Sequence, residues 1–145
     1  MKKILISFIV LLTTGFLACA PEEKTQSLTY QGFIENIWDF ETNPDDFVFK
    51  GNTPIVVDFY ANWCGPCRKL LPLMETMANE YEGKIVIYKV DVDQEKALAN
   101  FFQVKGLPVF FIFSPDNIYK RYTGTPTEAE FRGLIEEELN KKVKA

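Results

Sequence analysis

Pro54-Ile55-Val56-Val57-Asp58-Phe59-Tyr60-Ala61-Asn62-Trp63-Cys64-Gly65-Pro66-Cys67 is the stretch on which the reading of this chain turns. Its first half is a compact apolar run, the composition of a strand buried on both faces. Its second half places two cysteines three positions apart, with Pro66 where a helix begins. Two cysteines so spaced can close a small disulfide if the second sits in the first turn of that helix. Gly65 would permit the tight approach. Cys64 would then lie at the helix N-terminus, where unpaired N–H groups and the macrodipole favour a thiolate. A thiolate there is equipped to attack another protein's disulfide. Cys67, one turn deeper, is placed to resolve the mixed disulfide.

Zinc sites also use C-x-x-C, but a closed structural site takes four protein ligands. The chain has three cysteines and no histidine, so no metal is expected. The missing histidine also removes Cys–His proteases and imidazole proton shuttles. An odd cysteine count, with two clustered and one alone, does not suit a disulfide scaffold. Net charge is −4 without a basic stripe, which argues against nucleic acid. With 145 residues, 47% hydrophobic and 25% charged, one globular domain is expected. Thirteen Phe and six Tyr suggest a core built on aromatics.

Outward from the cysteines, strands alternate with helices. Phe33, Ile34, Ile37 and Trp38 fall at helical spacing. After the strand at 54–60, a helix is expected from Pro66 to about Tyr81, with Leu70, Leu73, Met74 and Met77 on one side and Pro72 kinking it. A strand at Ile85–Val90 and a helix at Lys96–Phe102 follow. Val109–Phe113 and Ile118–Thr123 read as a hairpin about a Ser-Pro-Asp-Asn turn. The last helix opens at Thr127 with Glu130 three residues on, a capping box. This order gives an α/β fold with a mixed central sheet flanked by helices.

Residues 1–18 read as an address. Lys2 and Lys3 precede an apolar run from Ile4 to Leu17, shorter than the roughly 20 residues of a membrane span, and a small residue closes it. Removing this segment takes two lysines and no acid, so the net charge falls from −4 to −6. Phe16-Leu17-Ala18-Cys19 resembles the lipobox of bacterial lipoproteins, which implies lipid on Cys19 and a membrane-anchored protein of the bacterial cell envelope, periplasmic or otherwise extracytoplasmic. A plain secretory signal is the alternative. Residues 19–27 then read as a polar tether, and 28–145 as the domain.

From about Leu28 to Leu139 the chain resembles a thioredoxin. The resemblance rests on the strand running into Trp63-Cys64-Gly65-Pro66-Cys67, on Pro72, on Lys89-Val-Asp-Val-Asp93 and on Lys105-Gly106-Leu107-Pro108. It implies the thioredoxin fold and a thiol–disulfide oxidoreductase needing no cofactor beyond the Cys64–Cys67 couple. It also implies a buried Asp58 acting as proton acceptor for Cys67, with Lys89 as its charge partner. A cis Pro108 and a substrate groove formed by Trp63, Gly65, Pro66, Leu107, Pro108 and Gly124 follow from it too. Asp58 pointing out of the sheet and Trp63 as core are the competing structural readings. Expected partners are disulfide-containing envelope proteins, a membrane thiol-electron donor and lipid, with the protein itself a monomer. Alternatives are a dedicated reductant for cytochrome c maturation and a thiol-independent peptide-binding module or holdase. Against the former, only about a dozen residues separate Asp91 from Lys105, where such specialists usually carry an insertion.

Overall fold

A computed structural model describes residues 23–141. The leader expected at 1–18 and the lipidation expected at Cys19 lie outside these residues. The elements run β1 (Gln26–Ser27), α1 (Tyr30–Asn36), β2 (Ile55–Tyr60), α2 (Gly65–Glu80), β3 (Val86–Asp91), α3 (Lys96–Phe101), β4 (Val109–Ser114), β5 (Ile118–Thr123) and α4 (Glu128–Lys141). The sheet order is β1-β3-β2-β4-β5. The β1, β3 and β2 strands are parallel, whereas β4 runs antiparallel to both β2 and β5.

β2 is the central strand, and its alternating side chains divide the core into two layers. Ile55, Val57 and Phe59 face α1 and α3, where Phe33, Leu98 and Phe102 meet them. Val56 faces α2 and α4, with Leu70, Met74, Met77, Phe131 and Ile135. Phe33, Phe59, Phe110, Phe113 and Phe131 are fully buried. Each such side chain stabilises the fold by about 2 kcal/mol relative to exposure. The aromatic core anticipated from composition is thus distributed over both faces of the sheet.

Local chemistry sets the helix ends. The Thr29 hydroxyl accepts from the Gly32 N–H, so α1 starts at Tyr30, three residues before its apolar spacing suggests, and Ile37 and Trp38 pack just beyond its end. At α4 the expected capping box is complete: Thr127 N–H donates to the Glu130 carboxylate at 2.7 Å, and Glu130 N–H donates to the Thr127 hydroxyl at 3.3 Å. α2 passes through Pro72 without interruption.

The tether expected over 19–27 ends too late. Gln26 and Ser27 pair with Tyr88 and Lys89 as an edge strand, and Lys24 and Thr25 are bonded to Glu75 of α2. Both β1 side chains are exposed. The strand is held by backbone hydrogen bonds, so it leaves no apolar period in the sequence. Among the described residues no helix is long and apolar enough to cross a membrane.

Candidate active site

The β2–α2 junction brings the two cysteines together because the chain turns directly from a buried strand into a helix. Cys64 is the N-cap of α2 and Pro66 lies in its first turn. Cys64 and Cys67 form a disulfide with Cα atoms 5.3 Å apart. The Cys67 N–H donates to Cys64 Sγ at 3.2 Å. One orphan N–H of the helix start therefore already points at the sulfur that would carry the negative charge after reduction. In this oxidised form both cysteines are buried, Cys64 at 4% exposure and Cys67 at 0%. The difference in access expected between them is small here, though it has the expected sign. Ala61, Tyr60, Val92 and Leu107 pack around the pair.

Gly65 takes an ordinary backbone conformation, and a Cβ added there would meet nothing within 4 Å. The turn does not require glycine, contrary to the sequence reading. What its small side leaves is open space next to Cys64. Gly124 differs. Its φ of +88° lies in the region that side chains disfavour. Its N–H donates to the Pro108 carbonyl at 3.0 Å, joining the end of β5 to the loop before β4. The Leu107–Pro108 peptide is cis. Trp63 is 69% exposed, and its indole N–H donates to Asp93 at 2.8 Å. Trp63 is therefore surface, not core.

Asp58 is fully buried in β2, between Lys89 of β3 and Phe110 of β4. By strand alternation it shares the layer of Val56, under the helix that carries Cys67. Neither carboxylate oxygen has a hydrogen-bond partner among the described residues. Burial pushes its pKa up to about 7, against a smaller downward pull from the Lys89 charge. Lys89 was expected to be its charge partner. Its charge does act on Asp58 through space, but the ammonium sits 2.9 Å from Glu23 and makes its ion pair there. The physical reason is desolvation: a partly exposed carboxylate is easier to pair than one deep in the sheet.

Sequence reasoning missed Asp93, Glu23 and Glu75. Asp93 lay inside a motif already singled out, and its place in the loop after β3 was the available signal. Glu23 and Glu75 had none, since their contacts join positions 50 or more residues apart.

Residues 38–137 match the thioredoxin family model. The chain belongs to the thioredoxin family. It is 36% identical over 111 residues to a thioredoxin of Borreliella burgdorferi, covering 77% of this chain and 94% of that one. To the chloroplastic thioredoxin Y of Oryza sativa it is 32% identical over 107 residues, with coverage of 74% and 61%. The crystal structure of chloroplastic thioredoxin z superposes with a TM-score of 0.63 at 26% identity, covering 78% of this chain and 92% of that one. The expected fold is the observed one. The Cys64–Cys67 pair occupies the family's active-site position, which makes this thioredoxin a protein-disulfide oxidoreductase. Its substrates are disulfide-containing proteins, and its redox couple is the disulfide itself, without a cofactor.

Proposed function

We propose that this thioredoxin is a lipid-anchored reductant of disulfides in bacterial cell-envelope proteins. The observation that carries the redox part is the Cys64–Cys67 disulfide at the start of α2, with an acid buried in the layer beneath it that has no hydrogen-bond partner among the described residues. The order Lys2-Lys3, apolar run, Cys19 supports the cellular part.

In the reduced protein the Cys64 thiolate attacks a substrate disulfide. One Cys64–substrate S–S bond forms and one substrate thiolate leaves. Asp58 takes the proton of Cys67, whose thiolate then attacks Cys64 Sγ and releases the second substrate sulfur. Two electrons pass to the substrate and the Cys64–Cys67 disulfide remains. Asp58 hands the Cys67 proton to one departing substrate thiolate, and the other takes a proton from solvent, matching the one Cys64 lost on ionising. A raised carboxyl suits this role, because a base near neutrality both takes and returns a proton at low cost. Leu107 packs against the cysteine pair and Gly124 is bonded to Pro108, which supports reading these residues with Trp63 as the groove where an extended substrate segment would lie against backbone. A membrane protein carrying thiol electrons outward would restore the dithiol, and the domain would work as a monomer.

The deciding experiment is expression of Cys67→Ser in cells, followed by non-reducing gels of the envelope fraction. Persistent mixed disulfides through Cys64, absent in Cys64→Ser, are expected. Equal trapping by both single variants would overturn the assignment of roles. Undiminished activity of a variant lacking both cysteines would make the domain a binding module.

A further inference from the structure

Lys89 stands opposite Asp58 in the β2/β3 ladder, yet its ammonium is engaged on the other side. Its side chain is 15% exposed and reaches Glu23, which is 74% exposed. Glu23 is held in place by the two residues after it. The Lys24 N–H, the Thr25 N–H at 3.1 Å and the Thr25 hydroxyl at 2.8 Å all donate to the Glu75 carboxylate on α2. Burial opposes ionisation of Glu75, but these hydrogen bonds and the Lys89 charge hold its carboxyl below the usual range. Glu23, Thr25, Arg68, Pro72, Glu75 and Lys89 line one shallow pocket on the outer face of this layer. Two carboxylates thus draw on one ammonium, while the acid across the ladder from it has no hydrogen-bond partner among the described residues.

We infer that Glu23 and Glu75 are positioning residues for the redox site: the docked 23–25 segment holds the Lys89 charge away from Asp58 and so sets the protonation state of that acid. The physics is the competition between desolvation and a nearby cation. A buried carboxyl ionises readily only if a positive charge stays close, and the attraction falls with separation. The other groups on the elements packed around Asp58 supply no substitute, and among the described residues Lys89 is the one charge acting on it. α2 offers Arg68 at the pocket rim and the Cys64–Cys67 disulfide, uncharged when oxidised. β3 offers Asp91, which is engaged by the Asp93 N–H and Gln94. β4 offers Phe110, and β5 beyond it offers Tyr122. Lys24 carries the opposite sign to Glu23 but pairs with Glu82 at 3.1 Å.

The docked segment is itself the later part of the 19–27 stretch read as a tether. Undocking it would release Lys89 toward Asp58, so strain on that stretch would be felt as a change in proton affinity at the active site. The effect on Asp58 stands alone, whereas its consequence for turnover rests on Asp58 serving as acceptor for Cys67.

The test is a carboxyl 13C NMR titration of the oxidised full chain, with the Asp58 signal assigned by its loss in Asp58→Asn. Glu23→Gln and Glu75→Gln should each lower the Asp58 midpoint, by about half a pH unit for one exposed ion pair. Lys89→Met should raise it, and Glu23→Gln should then have no further effect. An unchanged midpoint in Glu23→Gln overturns the inference, as does an equal shift in the Lys89→Met background, which would mean a direct field from Glu23. The amide signals of Lys24 and Thr25 report docking, so a Glu75→Gln variant that fails to fold leaves Glu23→Gln to decide. A shifted midpoint without a matching shift in the acid limb of the disulfide-reduction rate supports the inference and removes Asp58 as proton acceptor.

Discussion

The indole of Trp63 is tied to the carboxylate of Asp93 by a 2.8 Å hydrogen bond that joins the loop before α2 to the loop after β3. A ring that is 69% exposed would otherwise sample several rotamers. Held by this acceptor, it presents a fixed apolar surface beside Cys64, and the ordering cost is met before a substrate arrives.

Asp93→Ala should therefore weaken recognition of protein disulfides without unfolding the domain. Losing a charge-assisted hydrogen bond at an exposed site costs about 1 kcal/mol, which corresponds to roughly fivefold in kcat/KM toward a protein substrate. A small dialkyl disulfide, too short to reach Trp63, should be reduced at the original rate. Parallel assays of the two substrates check this. An equal loss on both would show that Asp93 acts on the cysteines and not on the ring.

Asp58→Asn should slow turnover and stabilise the folded domain at neutral pH. The folded carboxyl titrates near 7, well above its ordinary value near 3.8. Below the lower value both states bind the proton and there is no penalty. Between them the folded state alone keeps it, so stability falls as pH rises and levels off above about 7. Three units correspond to on the order of 4 kcal/mol, an upper bound on the gain because the Asn amide must itself be buried. Urea denaturation of both proteins at pH 4, 5.5 and 8 checks it. The difference should be smallest at pH 4, and a constant difference would refute the linkage.

The paired role of Thr127 and Glu130 makes α4 sensitive to a single cap. Thr127→Ala removes the acceptor for the Glu130 N–H and the donor to its carboxylate. The expected loss is about 1 kcal/mol, and Thr127→Ser should recover most of it. Thermal denaturation of the two variants measures both. Activity of the folded fraction should be unchanged, since the cap touches neither cysteine.

Much of this molecule is legible in its sequence because local chemistry and burial agree. The run at 55–60 is apolar because β2 is covered on both faces, and the C-x-x-C sits where a strand meets a helix. Thr127 and Glu130 announce α4 by spacing alone. The unreadable features are those made by contacts distant in the chain. β1 has two exposed residues and no period, and exists only because β3 offers a free edge. Lys89 sits in the register that pairing with Asp58 would require, so ladder position alone implied an ion pair. Its actual partner, Glu23, depended on where an apparently structureless segment docks.

Cys19→Ser should move the protein from the membrane fraction to the soluble one. A single acyl chain gives only marginal binding, whereas two or more hold a protein firmly, so the multiply acylated form expected of a bacterial lipoprotein would sediment completely. Fractionation with metabolic labelling by a radioactive fatty acid checks both location and modification. A Cys19→Ser protein that still sediments and still carries label would refute acylation at that residue.

The expected direction of electron flow is reduction of the substrate, not its oxidation. A disulfide becomes a stronger oxidant as its reduced thiolate is better stabilised. Cys64 Sγ accepts the Cys67 N–H at 3.2 Å, which gives modest stabilisation. The chain has no histidine, so no imidazolium can add to it. The carboxyl buried in the layer beneath α2 works the other way, since its ionisation would repel a nearby thiolate. Thioredoxin is itself the reference case near −270 mV, and a strong periplasmic oxidant of the same chemistry lies near −120 mV. The gap of about 150 mV is about 7 kcal/mol for two electrons, more than one hydrogen bond or one screened charge supplies. The purified protein equilibrated in glutathione buffers should therefore settle near the lower value. A potential above about −180 mV, the isomerase range, would reverse the assignment. In the predicted range an oxidising compartment would hold the pair as a disulfide, and activity in cells would stop when the thiol-electron donor is deleted.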